Sequence, residues 1–417
     1  MKFMKSIVLS LVLFLSMSIV YAQKKRIEFE DNLSWQQVKA KAKAENKFIF
    51  MDIFASWCGS CKWMDENVFD SEFVANFMNE KFVCVKMQTD SIRDAKCVES
   101  TAKIQRDYNI KSLPTFIFFD PEAKVVHKFV GAVSDSTFVK LAASALDPNK
   151  QYYTLLVKYK SGNLNSTQIP FLVKLSNYAG EVSEAKQIAE DYIDKYLLNL
   201  DERDLMTKGN LTFIRENLSS TQTRGFEFFM REREQINALL GPNKAEYAVR
   251  SIISKDYIPS GTNITITQQE WERLEKEVTS KFGCIGREMI YGRRMNYCLE
   301  SKDWPNFTKY YVLYYKMALA RPEWNINNMS WFLFNYSKDS TALLFACDVV
   351  MRYAMEEWYQ NDPAAYDTYA SLLYRCGRRD KAIDWQENAV KIAKGTPYEK
   401  TQQTNLIKMK RGEKTWF

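Results

Sequence analysis

An almost wholly apolar run, Lys47 to Phe54, carries the chain into Trp57-Cys58-Gly59-Ser60-Cys61, and a helical stretch, Lys62 to Met78, begins directly after it. A strand that ends on a C-x-x-C and turns at once into a helix leaves few folds open. The first cysteine falls where a helix leaves N–H groups unpaired and its dipole is positive. Such cysteines have pKa values lowered to roughly 7 or below, enough to attack disulfides at neutral pH. The second cysteine, one turn later, is placed to attack the mixed disulfide formed on the first. The spacing alone does not separate a redox pair from half of a zinc site. A zinc site needs further ligands. No second C-x-x-C follows, Cys84 and Cys97 are not at finger spacing, and His127 is the only histidine. Sulfur chemistry is therefore expected, with no metal and no cofactor. The single histidine also argues against Ser-His or Cys-His catalysis.

The surroundings of the motif alternate between strand and helix. Trp35 to Ala44 reads as a helix capped by Ser34. Phe82 to Met87 is a second central strand, Ala95 to Tyr108 a helix, and Thr115 to Phe119 a strand. Val125 to Val130 is its hairpin partner and Ser136 to Leu146 a closing helix; the helix after Cys61 should break near Asp70-Ser71. Strands split by helices, then a hairpin and a last helix, make an α/β sandwich. Asp147-Pro148-Asn149-Lys150 marks its end, so the expected domain is 23–149, and a chain ending near Asn149 is expected to fold alone.

The text Phe50-Met51-Asp52-Ile53-Phe54-Ala55-Ser56-Trp57-Cys58-Gly59-Ser60-Cys61-Lys62, with Leu113-Pro114-Thr115-Phe116 and Gly131, resembles the thioredoxin superfamily over about residues 30–147. Lys62-Trp63-Met64-Asp65-Glu66-Asn67-Val68-Phe69 followed by Asp70-Ser71-Glu72-Phe73-Val74 is most similar to the C-terminal domain of the transmembrane thiol:disulfide interchange reductases. The resemblance implies roles by position. Cys58 would be the nucleophile and Cys61 the resolving thiol. Asp52 would be the buried carboxylate that deprotonates the second cysteine, and Lys86 the lysine that faces it. Pro114 would be a cis-proline opposite the cysteines, exposing backbone groups of Leu113 to an extended substrate. Trp57, Leu113 and Gly131 would form the substrate-binding rim. An aspartate inside an apolar strand fits such a role, because burying it is costly. One departure is Ser60, where thioredoxin has proline; this dipeptide tunes the reduction potential, so the direction of electron flow stays open.

Beyond residue 150 the pattern is helical. Glu181 to Leu198, Arg231 to Leu240, Gln268 to Phe282 and Phe307 to Leu319 carry helix-spaced apolar positions. Tyr366, Ala370, Gly377, Ala382 and Ala389 fit a tetratricopeptide repeat, with Gly377 at the turn, and a weaker copy runs from Trp331 through Ala342. The expected organisation is a helical region of unassigned class over 150–320 and tetratricopeptide-like repeats over 321–417. Cys284, Cys298, Cys347 and Cys376 read as small core residues, as does Cys84. Cys97 could form a second bridge. His127 reads as structural.

The first 22 residues read as a signal peptide rather than fold: Lys2 and Lys5, an apolar run from Ile7 to Val20, and a cleavage signal at Val20-Tyr21-Ala22. The alternative is an uncleaved anchor. Periplasmic or secreted localisation follows, in a compartment where disulfides persist. The charge balance, 58 Lys and Arg against 51 Asp and Glu, is mildly basic and mixed in sign along the chain. No basic block with interleaved aromatics points to nucleic acid. The expected function is a thiol:disulfide oxidoreductase acting on protein disulfide or dithiol substrates. It would draw on a redox partner at the cytoplasmic membrane, and its helical tail would hold a peptide or protein partner. The alternative is a helical-repeat binding or chaperone-like protein that uses the α/β domain as a scaffold.

Overall fold

The computed structural model describes residues 26–90, 103–259 and 265–416. The expected signal peptide, Cys97 and the first part of the helix expected from Ala95 lie outside these residues. The chain divides between Leu218 and Ser219 into two compact units.

In the first unit the capped helix α1 (Trp35–Glu45) leads to strand β1 (Phe48–Phe54). Ser34 caps α1 reciprocally with Gln37. From Cys58 of the C-x-x-C, α2 (Gly59–Met64) runs on through a π-helical turn, Asp65–Phe69, and α3 (Glu72–Lys81) follows the break at Asp70 and Ser71. Strand β2 (Phe82–Gln88), a short helix over 103–107, the hairpin β3 (Thr115–Phe119) and β4 (Val125–Val130), and α4 (Asp135–Ser144) complete the domain. The sheet order is β2-β1-β3-β4, with β1 and β2 parallel and the other pairs antiparallel.

Each strand alternates between two cores, as a period of two requires. Phe50, Cys84, Phe116 and Phe118 face one side, where Met64, Val68 and Phe69 cover them. Ile49, Met51, Ile53, Val83, Val85, Ile117 and Phe119 face the other, against Val38 and Ala42 of α1. The register sets Asp52 beside Lys86. Both share the parity of Phe50 and Cys84, so they face the side covered by the cysteine-bearing helix.

The compact unit does not stop at residue 149. Helices α5 (Tyr152–Lys160), α6 (Ile169–Tyr178) and α7 (Val182–Lys195) follow within it. They are joined to the edge strand β4 by polar contacts at buried residues. The backbone N–H of Tyr152 donates to Nδ1 of fully buried His127 over 3.0 Å. The Lys128 ammonium, 1% exposed, donates to Glu181 at 2.7 Å and to the Tyr108 carbonyl at 2.9 Å. Burial pushes the His127 pKa down to about 3, so it is a neutral acceptor.

The second unit is all helical among its described residues. Its central core packs Tyr311, Tyr315, Leu333, Phe334, Val350, Met351 and Leu372. The long helical stretch Gln268–Glu300 reverses at Gly283, whose φ is 59°. Arg294 donates to Glu275 at 3.0 Å and to Gln268 at 2.9 Å, across 19 and 26 residues. A straight helix would hold the closer pair about 28 Å apart. Gly286 lets the two arms meet, since a Cβ there would lie 2.4 Å from the Val278 carbonyl oxygen. Further on, helices Pro363–Arg375 and Arg379–Ile392 join through Gly377, at φ 80°, and Ala370, Ala382 and Ala389 are fully buried. No helix among the described residues is long and apolar enough to cross a membrane.

Candidate functional site

Cys58 is the N-cap of α2, and the helix delivers Cys61 to the same spot one turn later. The two are joined in a disulfide with Cα atoms 5.3 Å apart, and each is 4% exposed. The Cys61 N–H donates to Cys58 Sγ at 3.2 Å. A backbone donor at a positive helix end favours negative charge on that sulfur once the bond is opened. Ala55, Phe54 and Leu113 pack around the pair. Trp57 stands beside it, 73% exposed.

The Leu113–Pro114 bond is cis. Ser60 Oγ donates to the Leu113 carbonyl at 3.4 Å and lies 3.4 Å from Cys58 Sγ. The residue that departs from the thioredoxin pattern therefore links the first cysteine to the cis-proline loop. Gly131, at φ 89°, donates its N–H to the Pro114 carbonyl at 2.9 Å. Its left-handed backbone, not crowding, calls for glycine there.

Asp52 lies under the motif, 2% exposed, on the face that α2 covers. Its Oδ1 is buried without a hydrogen-bond partner, and Oδ2 lies 3.7 Å from Lys86 Nζ. Burial pushes its pKa up to about 7; attraction to Lys86 pulls it down and the nearby Asp65 carboxylate raises it again. Asp65 follows Cys61 by one turn of helix, and its carboxylate accepts a hydrogen bond from Lys86. The ammonium also lies over the rings of Phe29, Phe54 and Phe69 at 4.9, 5.1 and 5.7 Å. Lys86 is thus shared between two carboxylates, and the buried one holds the weaker share.

The structure gathers Cys58, Cys61, Trp57, Leu113, Pro114 and Ser60 at one end of the sheet, and pairs Asp52 with Lys86 beneath the same helix. Gly131 closes onto Pro114 from the end of β4. Asp65 was not singled out from the sequence; its one signal there is its place four residues after Cys61. Ser56 and Asp90 were also missed. The Asp90 carboxylate accepts from the Ser56 hydroxyl and, at 3.0 Å, from its N–H, which holds the Asp90 pKa down at about 2. Those bonds pin the loop before Trp57. Cys84 is a free, buried thiol whose pKa burial raises. Among the described residues, no group of three or more His, Cys, Asp or Glu is arranged to hold a metal ion.

Residues 35–145 match a family described as "Thioredoxin-like domain". A thioredoxin H-type from Fagopyrum esculentum is 30% identical over 111 residues, which are 27% of this chain and 84% of that protein. The thiol:disulfide interchange protein DsbD of Campylobacter jejuni is 25% identical over 127 residues, 30% of this chain; the match spans only 21% of that protein. The crystal structure of the oxidised DsbD C-terminal domain from Neisseria meningitidis is 16% identical, with a TM-score of 0.23, covering 26% of this chain and 90% of that one.

Proposed function

The chain belongs to the thioredoxin family of disulfide oxidoreductases, and on that footing we propose that its Cys58–Cys61 couple reduces or exchanges disulfides of proteins outside the cytoplasm. The observation that carries the proposal is a cysteine pair at a helix N-terminus above a buried carboxylate with one unbonded oxygen. In the reduced protein, Cys58 attacks a substrate disulfide as thiolate and forms a mixed disulfide. Asp52 takes the proton from Cys61, whose sulfur then attacks Cys58 and expels the substrate thiol. A carboxyl group with pKa about 7 is matched to that proton transfer at neutral pH. Leu113, Pro114, Trp57 and Gly131 hold the substrate segment, and Lys86 tunes Asp52.

The signal-peptide pattern of residues 1–22 supports a periplasmic or secreted location. A redox partner at the cytoplasmic membrane would then restore the pair to its working state. The helical region makes up more than half of the chain. We assign it to binding a peptide or protein partner, with Pro363–Arg375 and Arg379–Ile392 as a tetratricopeptide-like unit.

The test is insulin-disulfide reduction by the full chain. Cys58→Ser is expected to bring the rate to background, because the attacking sulfur is lost. Cys61→Ser should accumulate a mixed disulfide with substrate. Undiminished reduction by the Cys58 variant would overturn the proposal and leave the fold as a scaffold.

A further inference from the structure

The helix Glu399–Arg411 ends at Gly412, whose φ is 78°, and residues 413–416 leave it with no further helix or strand. They end on a seat in the second unit. The ring of half-buried Trp416 lies 6.2 Å from that of Phe334, on the helix Ile326–Tyr336, and 6.2 Å from that of Tyr374, on the helix Pro363–Arg375. Both contacts are edge to face. The Arg375 guanidinium stands 5.2 Å from the Trp416 ring and 5.8 Å from the Phe334 ring.

The polar side of this seat is not filled. Arg375 Nη2 donates to the Ser337 carbonyl, but Nη1 is buried with no acceptor. Thr415 Oγ1, next to Trp416, is also buried without a partner. The one carboxylate of the segment, Glu413, faces Arg411 at 3.9 Å instead. A buried cationic donor left without an acceptor is costly. Residues 413–416 therefore supply the ring that the seat takes and not the anion that it lacks.

We propose that the seat formed by Phe334, Tyr374 and Arg375 docks an extended peptide in which a carboxylate neighbours an aromatic side chain, and that residues 413–416 are a strap which this peptide displaces. The proposal rests on the assignment of the helical region to partner binding, and it gives that binding a place and a chemistry. The incoming ring replaces Trp416 against Phe334 and Tyr374. The incoming carboxylate accepts from Arg375 Nη1 and makes a charge-assisted bond that the strap leaves unmade. A tethered strap competes at an effective concentration of about millimolar, so the seat is weak toward partners until the strap lifts.

The test is binding of a fluorescein-labelled peptide, Gly-Gly-Asp-Trp-Glu-Gly-Gly, to the full chain. Two control peptides carry Lys in place of both acids or Ala in place of Trp. Trp416→Ala should bind the labelled peptide at least about tenfold tighter than the unmodified chain, because the tethered competitor has lost its ring. Adding Tyr374→Ala to Trp416→Ala should remove that gain, and each control peptide should bind Trp416→Ala at least about tenfold more weakly. A second measurement needs no variant to fold. On the unmodified chain, a millimolar excess of the peptide should speed hydrogen exchange at residues 413–416 and slow it at the end of the helix Pro363–Arg375. Equal affinity of the unmodified chain and Trp416→Ala would overturn the proposal, as would equal binding of the acidic and Lys peptides, no binding to any form, or exchange at 413–416 that the peptide leaves untouched. Binding that neither substitution moves would overturn this seat alone and leave the helical region as a partner-binding surface, which separates the two failures.

Discussion

The two compact units each bury an aspartate, and they differ in how far they satisfy it. In the helical unit Asp367 accepts from Gln386 at 2.6 Å and from Asn405 at 3.0 and 3.3 Å. Burial raises its pKa above the ordinary range, and those bonds offset part of that rise. In the first unit Asp52 has one oxygen with no partner and a shared ammonium at 3.7 Å, and its pKa rises to about 7. A buried carboxylate with its bonds filled locks helices together. One left short is destabilising, and a fold keeps it where proton transfer is needed. The contrast separates structure from chemistry better than burial alone, since both residues are nearly inaccessible.

The largest expected effect lies on the unsatisfied side. Folding raises the Asp52 pKa from its ordinary 3.8 to about 7. As pH rises through that window, the unfolded chain releases a proton that the folded chain keeps. Stability therefore falls between about pH 4 and pH 7, by up to about 1.4 kcal/mol per pH unit, and is level above. In Asp52→Asn this contribution is gone. Denaturant titrations at pH 4 and pH 8 should show the variant gaining roughly 4 kcal/mol on the unmodified chain across the interval. A constant difference would remove Asp52 from its special place.

A somewhat smaller effect is expected where a buried charge is fully paired. Glu181→Ala leaves the Lys128 ammonium enclosed without its carboxylate. It should cost about 3 kcal/mol of unfolding free energy, read from the urea midpoint of the first unit. A chain ending at Asn149 loses Glu181, Tyr152 and the cover of the β4 edge together, and should be less stable than one ending at Leu218. Equal stability would mean that α5, α6 and α7 add nothing to a domain ending at Asn149. Least of all, Asp367→Ala strands the Gln386 and Asn405 amides and should cost about 1–3 kcal/mol, while disulfide exchange at Cys58 stays within about twofold. A large loss of exchange would blur the contrast between the two aspartates.

How far the sequence reaches follows the same divide. The strands and the C-x-x-C were readable because apolar runs and turn residues are local. Asp52 stood out as a charge inside an apolar strand, and its role came through family resemblance. Asp65 did not stand out, because an acid on a helix looks like any solvated one until Lys86 is seen to reach it. His127 and Lys128 looked like ordinary strand residues, since their partners, Tyr152 and Glu181, lie 25 and 53 positions away. The helix pattern ending at Phe282 did locate a real break, but that the chain doubles back there shows only in the contacts of Arg294.

The central claim is that Asp52 accepts the proton from Cys61 while the mixed disulfide resolves. The direct measurement is the single-turnover rate of that resolution against pH, for the unmodified chain and for Asp52→Asn. The unmodified chain should rise with pH through an inflection near 7 and then level, since the carboxylate must be ionised to accept the proton. In Asp52→Asn that inflection should vanish and the plateau should fall by about a hundredfold, with the first half-reaction little changed. Superimposable pH profiles, or an equal loss in both half-reactions, would contradict the account.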